Sequence, residues 1–155
     1  MDIRIAIGAD HRGFLLKSYL ICQKKIGSFS VAWDDVGTFT EERTDYPLFS
    51  RKVVQLIQDG WVDLGIMACG SGIGMTIAAN RFRGIYAGLV WNEEVARQAR
   101  QDDNVNVLVL PADFISLEEG YAIVLAWLSS DFKGGHYQER LTLLDDLQRE
   151  SCLSL

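Results

Sequence analysis

At 155 residues, 48% of them apolar and 23% charged, the chain is long enough to bury an ample core and has an ordinary soluble composition, expected to form one domain over 1–155. A formal charge of −6 argues against a nucleic acid or an acidic membrane as partner, because either needs a basic face. Three scattered cysteines and two histidines, with no Cys-x-x-Cys motif, exclude a disulfide framework and predict no metal.

The first residues, Met-Asp-Ile-Arg-Ile-Ala-Ile-Gly, lack the basic region and apolar stretch of a signal peptide. No apolar run approaches the ~20 residues that span a bilayer, so a cytoplasmic protein with reduced thiols is expected. Ile3 to Gly8 reads as a first strand ending in Ala9-Asp10-His11-Arg12-Gly13, where reactive side chains cluster. Leu15, Leu16, Tyr19 and Leu20 recur at helical spacing to about Lys25. Phe29, Val31 and Trp33 alternate as a second strand, and a polar loop runs through Glu41 to Pro47, which suits a helix start. Phe49, Val53, Leu56 and Ile57 give that helix a buried face before Gly60 stops it.

Leu64 to Ala68 is an apolar run that reads as a buried third strand and stops at Cys69. Gly70, Gly72 and Gly74 follow at alternate positions, and then a helix-favouring segment from Met75 to Asn80. Such spacing turns the chain sharply with N–H groups pointing inward, and the helix start adds unpaired donors and a positive dipole end. The result is an anion-accepting cup with a thiol on its lip, whose field is expected to favour the thiolate of Cys69. Ile85 to Trp91 reads as a fourth strand, with Asn92 capping a helix to about Gln101, and Val105 to Leu110 as a fifth. Leu117 to Leu128 mark a helix, and after Gly134-Gly135 an amphipathic helix carries Tyr137, Leu141, Leu144 and Leu147.

Strands alternating with helices predict an α/β fold: a parallel sheet covered on both faces, with ligands beyond the carboxyl ends of the strands. The glycine run is neither a dinucleotide fingerprint, since Met75 stands where the third glycine belongs, nor a P-loop, since no Gly-Lys-Ser/Thr follows. Spacing alone leaves a tight turn beside a buried, inert cysteine open as well. Cys22, inside a helix, and Cys152, in a polar tail, read as packing or surface residues. Asp10-His11 after a first strand suits acid–base work or an anion donor, the carboxylate setting the histidine tautomer; helix capping is the bland alternative.

Taken together, Gly-Ala-Asp-His-Arg-Gly-Phe at 8–14, Glu-Arg-Thr-Asp-Tyr-Pro at 42–47 and Cys-Gly-Ser-Gly-Ile-Gly-Met-Thr-Ile-Ala-Ala-Asn-Arg at 69–81 resemble the type B ribose-5-phosphate isomerases, a family that includes the galactose-6-phosphate isomerase subunits. Asn104 to Leu108 and Gly134 to Arg140 fall in the same order and spacing. The resemblance implies a three-layer α/β/α Rossmann-like sandwich with a five-stranded parallel sheet and a C-terminal helix used in dimerisation. It also implies a homodimer or dimer of dimers with its active site at the subunit interface, and a cofactor-free aldose–ketose isomerisation through an enediolate. Cys69 would be the base, and the amides of Gly70, Gly72, Ile73 and Gly74 would stabilise the enediolate oxygen. Ser71, where the family usually has Thr, would assist. His11 and Arg140 would hold the phosphate, with His136 beside them. Asp10, Tyr46 and Asp103 would line the sugar, and Asn80 would support the cup.

The family's Arg-Glu-His-Asn-Asp segment reads Arg100-Gln101-Asp102-Asp103-Asn104, so Asp102 replaces a ring-opening histidine and needs a raised pKa to act as an acid. Asp113 stands where an arginine is expected after the fifth strand, and His136 replaces another, weakening the hold on a phosphate dianion. Three readings follow: a ribose 5-phosphate isomerase; an isomerase of an open-chain or tetrose sugar phosphate; or a weak paralogue that binds a metabolite or pairs with an active subunit.

Overall fold

The computed structural model describes residues 1–153, with side chains through residue 150, so the expectation for Cys152 lies outside the described residues. The elements are β1 (Asp2–Ala9), α1 (Phe14–Ile21), β2 (Lys25–Ile26), β3 (Phe29–Asp35), α2 (Tyr46–Gln58), β4 (Leu64–Cys69), α3 (Ile73–Ala79), β5 (Ala87–Leu89), α4 (Glu93–Asp103), β6 (Val107–Pro111), α5 (Leu117–Leu128) and α6 (His136–Leu153). The strands form one sheet in the order β2-β3-β1-β4-β6-β5. Every neighbouring pair is parallel except β2 with β3. Among the described residues no helix is long and apolar enough to cross a membrane.

Helices cover both faces, so the central strands are apolar at successive positions and a period of two sorts them into two cores. Ile5, Ile7, Ile66, Ala68, Leu108 and Leu110 pack with Leu16, Leu20, Ile123, Val124 and Trp127 from α1 and α5. Ala6, Met67, Cys69, Val107 and Val109 face the other way, onto Phe49, Val53, Val54, Met75 and Ala79 from α2 and α3. Cys69 is thereby assigned to the α2–α3 side before any chemistry is considered. From β1 the chain moves to β3 on one flank, then crosses through α2 to β4 on the other. The order of strands switches between β1 and β4, where a parallel sheet opens a crevice at its carboxyl ends.

Two boundaries differ from the periodicity. The first helix stops at Ile21, and Lys25–Ile26 fold back on Phe29 and Ser30 through Gly27, whose φ of 57 suits a tight hairpin; this sixth strand corrects the expected five. The expected strand Ile85 to Trp91 is paired only over Ala87–Leu89, because this edge strand has a single neighbour, β6. On its open side the Asn80 side chain stands in for a strand, donating to Ala87 O (2.8 Å) and accepting from Ala87 N (2.9 Å). The expected Asn92 cap is present, accepting from Val95 N at 2.8 Å. Cys22 is exposed at the end of α1.

Candidate active site

The crevice between β1 and β4 begins with a close approach. An added Cβ on Gly13 would lie 2.1 Å from Ala68 O, so only glycine lets α1 start against β4. Asp10, 6% exposed, holds that start: its Oδ1 accepts from Arg12 N (2.9 Å) and Gly13 N (3.1 Å), the capping geometry of an aspartate at a helix entry. His11 Nδ1 accepts from Thr44 N at 3.3 Å, which leaves Nε2 to carry the proton. The tautomer is thus set by a backbone amide from the β3–α2 loop, not by the neighbouring carboxylate. Thr44 Oγ1 is itself buried without a partner among the described residues.

That loop is anchored from below by an ion pair that the sequence pattern hides. Lys17 sits on the buried face of α1 between Leu16 and Leu20, and its Nζ donates to both oxygens of Asp35 at 2.7 and 2.6 Å. Asp35 Oδ1 also accepts from Gly37 N at 2.9 Å, and the Gly37–Thr38 segment is stitched to Ala9 by two backbone bonds of 2.7 Å. A lysine among leucines at helical spacing reads as an exposed residue unless its partner, eighteen positions on, is known.

Cys69 ends β4 with its side chain buried, and the N–H groups of Gly72 and Met75 point at its sulfur. Gly72 adopts φ 76, the left-handed conformation that bends the chain into α3. The Ser71 hydroxyl accepts from Ile73 N at 3.3 Å at the mouth. The N–H groups of Gly70 and Ser71 donate to no acceptor among the described residues, so the cup keeps open donors. The Tyr46 ring, from the first turn of α2, covers Gly74 so closely that a Cβ there would lie 2.6 Å from its Cζ. The amide field acts on the thiol in the expected direction, but the net shift is opposite to the expected one. Burial pushes the Cys69 thiol above its ordinary value and outweighs the pull of the Met75 and Gly72 amides; Asp10 raises it further, and Arg12 lowers it.

The structure therefore brings Asp10, His11, Tyr46, Cys69, Gly70, Ser71, Gly72, Ile73 and Gly74 to one edge. Asn80 lies at the far end of α3, about 10 Å along its axis from the cup, and serves the β5 edge. Asp102, Asp103, His136 and Arg140 are elsewhere. The carboxyl end of α4 precedes the amino end of β6, so Asp102 and Asp103 belong to the opposite edge of the sheet. Lys133 bonds to Asp102 (2.6 Å) and to Gln101 O (3.0 Å), which ties the start of α6 to that edge too. There the Tyr137 ring carries Lys133 Nζ at 5.3 Å, the Arg140 guanidinium at 5.5 Å and the His136 ring at 4.0 Å. The Asp102 carboxylate accepts from Lys133 Nζ and raises the Lys133 pKa, so the side chain is held at this edge, away from the Cys69 cup.

Arg12 and Asp113 are the surprise at the mouth. The guanidinium lies across Gly70, 2.5 Å from where a Cβ would stand, and donates to the Asp113 carboxylate, while Asp113 N donates to Gly70 O at 3.0 Å. The acid in place of an expected arginine is neutralised by a cation from the first loop. Opposite charges at 12 and 113 were visible in the sequence, but their adjacency depends on β1 and β6 flanking β4.

The model of the Ribose/Galactose Isomerase family matches residues 5–144. The chain is 37% identical over 146 residues to ribose-5-phosphate isomerase B of Escherichia coli K12, covering 94% of this chain and 97% of that one. A crystal structure of a ribose 5-phosphate isomerase from Thermotoga maritima superposes with a TM-score of 0.88 at 42% identity, over 93% of this chain and 98% of that one. The ribose-5-phosphate isomerase B of Mycoplasma genitalium, solved with bound ribulose-5-phosphate, gives a TM-score of 0.85 at 36% identity, over 95% of this chain and 97% of that one.

Proposed function

The chain belongs to the ribose/galactose isomerase family, and from that premise we infer that it interconverts ribose 5-phosphate and ribulose 5-phosphate through an enediolate. The observation that carries the reading is the buried thiol at the end of β4, faced by two amides beside unpaired Gly70 and Ser71 donors. The Cys69 thiolate takes the proton from C2 of the open-chain aldose, the electron pair moves toward the carbonyl oxygen, and the proton returns at C1. The Gly70 and Ser71 amides receive the developing oxyanion, and the Ser71 hydroxyl assists proton movement between the two oxygens. His11, with Nε2–H free to donate, meets the phosphate; Asp10 and Tyr46 border the sugar.

We also infer a homodimer in which His136, Arg140 and Asp103 complete the site of the partner subunit. The reading is supported by the separation of these residues from Cys69 within one chain. It is supported too by the exposed leucines 143, 144 and 147 on α6. Asp102, held by Lys133, is assigned no acid role, so ring opening is left to water or to the substrate's own equilibrium.

Turnover of ribose 5-phosphate by the purified protein is the test, with erythrose 4-phosphate alongside. Cys69→Ala should lower turnover by about 10³-fold or more while the fold persists. Substantial residual activity would mean that another group moves the proton, and turnover of the tetrose alone would replace the assigned substrate.

A further inference from the structure

An anion supplied by the chain itself already stands at the mouth of the cup, on Arg12. Asp113 leaves the end of β6, its amide fixed to Gly70 O, and places its carboxylate on a guanidinium that crosses the cup's first glycine. Both side chains are partly open to water, 57% exposed for Arg12 and 31% for Asp113, and one nitrogen–oxygen contact joins them. A pair of this kind is weak and screened, so it is a poor brace. A guanidinium has five donors in a planar fork, and a single carboxylate oxygen uses little of that capacity. The guanidinium lies against Gly70, whose amide donates to no acceptor among the described residues.

We propose that Arg12 is a binding residue for a substrate oxyanion, and that Asp113 masks it until the substrate displaces the carboxylate. The proposal rests on the isomerase reading for the identity of the substrate, though not for the presence of an anion site. Nothing covalent changes: one charged acceptor replaces another on the same guanidinium, and Asp113 turns to water. A phosphate oxygen or the enediolate oxygen offers the same chemistry, and both fall within reach of a side chain adjoining His11 and the cup. Asp113 then sets selectivity, because a neutral sugar cannot displace it. The charge of Arg12 also acts on the Cys69 thiol, so unmasking and base strength are coupled through one residue.

The test measures KM and kcat on ribose 5-phosphate, and inorganic phosphate binding by calorimetry, in wild type, Arg12→Met, Asp113→Asn and the double variant. Asparagine keeps the backbone bond to Gly70 and removes only the charge. Arg12→Met should weaken the oxyanion by about tenfold or more. Seen in KM and the phosphate Kd, the loss assigns the phosphate group; seen in kcat on the alkaline plateau, where the Cys69 thiol of both proteins is ionised, with the phosphate Kd unchanged, it assigns the enediolate. Asp113→Asn should improve the same quantity about threefold, and should do nothing once Arg12 is gone. The proposal is overturned if Asp113→Asn is as harmful as Arg12→Met, which marks a structural brace. It is equally overturned if the Asp113→Asn gain persists without Arg12, or if Arg12→Met changes none of the three quantities. A wild type that binds phosphate but does not isomerise ribose 5-phosphate would sink the substrate assignment, and the Kd series would then judge Arg12 by itself.

Discussion

Cys69 illustrates how two opposed effects on one atom are decided by packing. The turn at Gly70 to Gly74 and the start of α3 aim donors at the sulfur, yet the α2–α3 core removes it from water, and desolvation wins. In the resting protein the thiol is protonated around neutral pH, and the thiolate, once formed, is a strong and poorly solvated base. Titration of thiolate absorbance, taken as wild type minus Cys69→Ala, should give a midpoint above the ordinary value of about 8.5. Turnover should climb with pH toward that midpoint. Asp10→Asn, which retains the capping oxygen, should lower the midpoint, and Arg12→Met should raise it. Stability must move the opposite way. A thiol raised in the folded state stabilises fully below its unfolded pKa, and that contribution disappears as pH rises through the folded value, so wild type should lose its advantage over Cys69→Ala in alkali. A midpoint at or below 8.5 would show that the amide cup outweighs burial. Glycine spacing revealed the cup because turn chemistry is local. The sign of the shift was hidden, because Cys69 joins the buried cluster of Phe49, Val53 and Met75 only after folding.

At the scale of elements, the tightest constraint is the crossing of α1 over β4. Gly13 stands where the Asp10 turn hands the chain to Phe14, and its α-carbon faces the Ala68 carbonyl, which is locked into the ladder by Asp10 N at 3.2 Å. Neither backbone can retreat without opening the switch point between β1 and β4. Gly13→Ala should therefore cost about 3 kcal/mol in urea-induced unfolding, the upper range for overpacking, and should lower turnover with it. Gly60→Ala, where open space surrounds the position, should show only the modest strain of its φ of 72. A cost at Gly13 no larger than at Gly60 would mean that α1 shifts freely. Apart from β2 the order of elements was legible, since hydrophobic periodicity and the Pro47, Gly60 and Asn92 signals are local. The β2 hairpin was not, because two residues carry no period, and the Lys17–Asp35 pair was not, because its halves belong to different elements.

At the scale of the whole molecule, the proposed site is divided between opposite sheet edges, and on that proposal only assembly would complete it. Cys69, His11 and Tyr46 occupy the carboxyl ends of the strands, whereas Lys133, His136 and Arg140 gather round Tyr137 by the end of α4. On this proposal a single chain offers the thiol with part of the phosphate site and, at the other edge, exposed basic side chains without a thiol. Two chains can close both gaps at once if the apolar face of α6 meets a second copy. Leu141 is buried within the chain, but Leu143, Leu144 and Leu147 are 64%, 52% and 62% exposed along the same helix, more contiguous apolar surface than isolated surface leucines require. The helix spacing in the sequence anticipated an amphipathic α6, and folding shows that only one of its apolar stripes is consumed by its own core. Leu147→Asp places a charge on that second stripe, two helical turns beyond Arg140. Sedimentation should find wild type as a dimer at micromolar concentration and this variant shifted to monomer, with turnover falling by at least about tenfold while the circular dichroism of the fold is retained. A wild-type monomer with full activity would mean that one chain completes the site unaided, and His136 and Arg140 would then have no part in holding the phosphate.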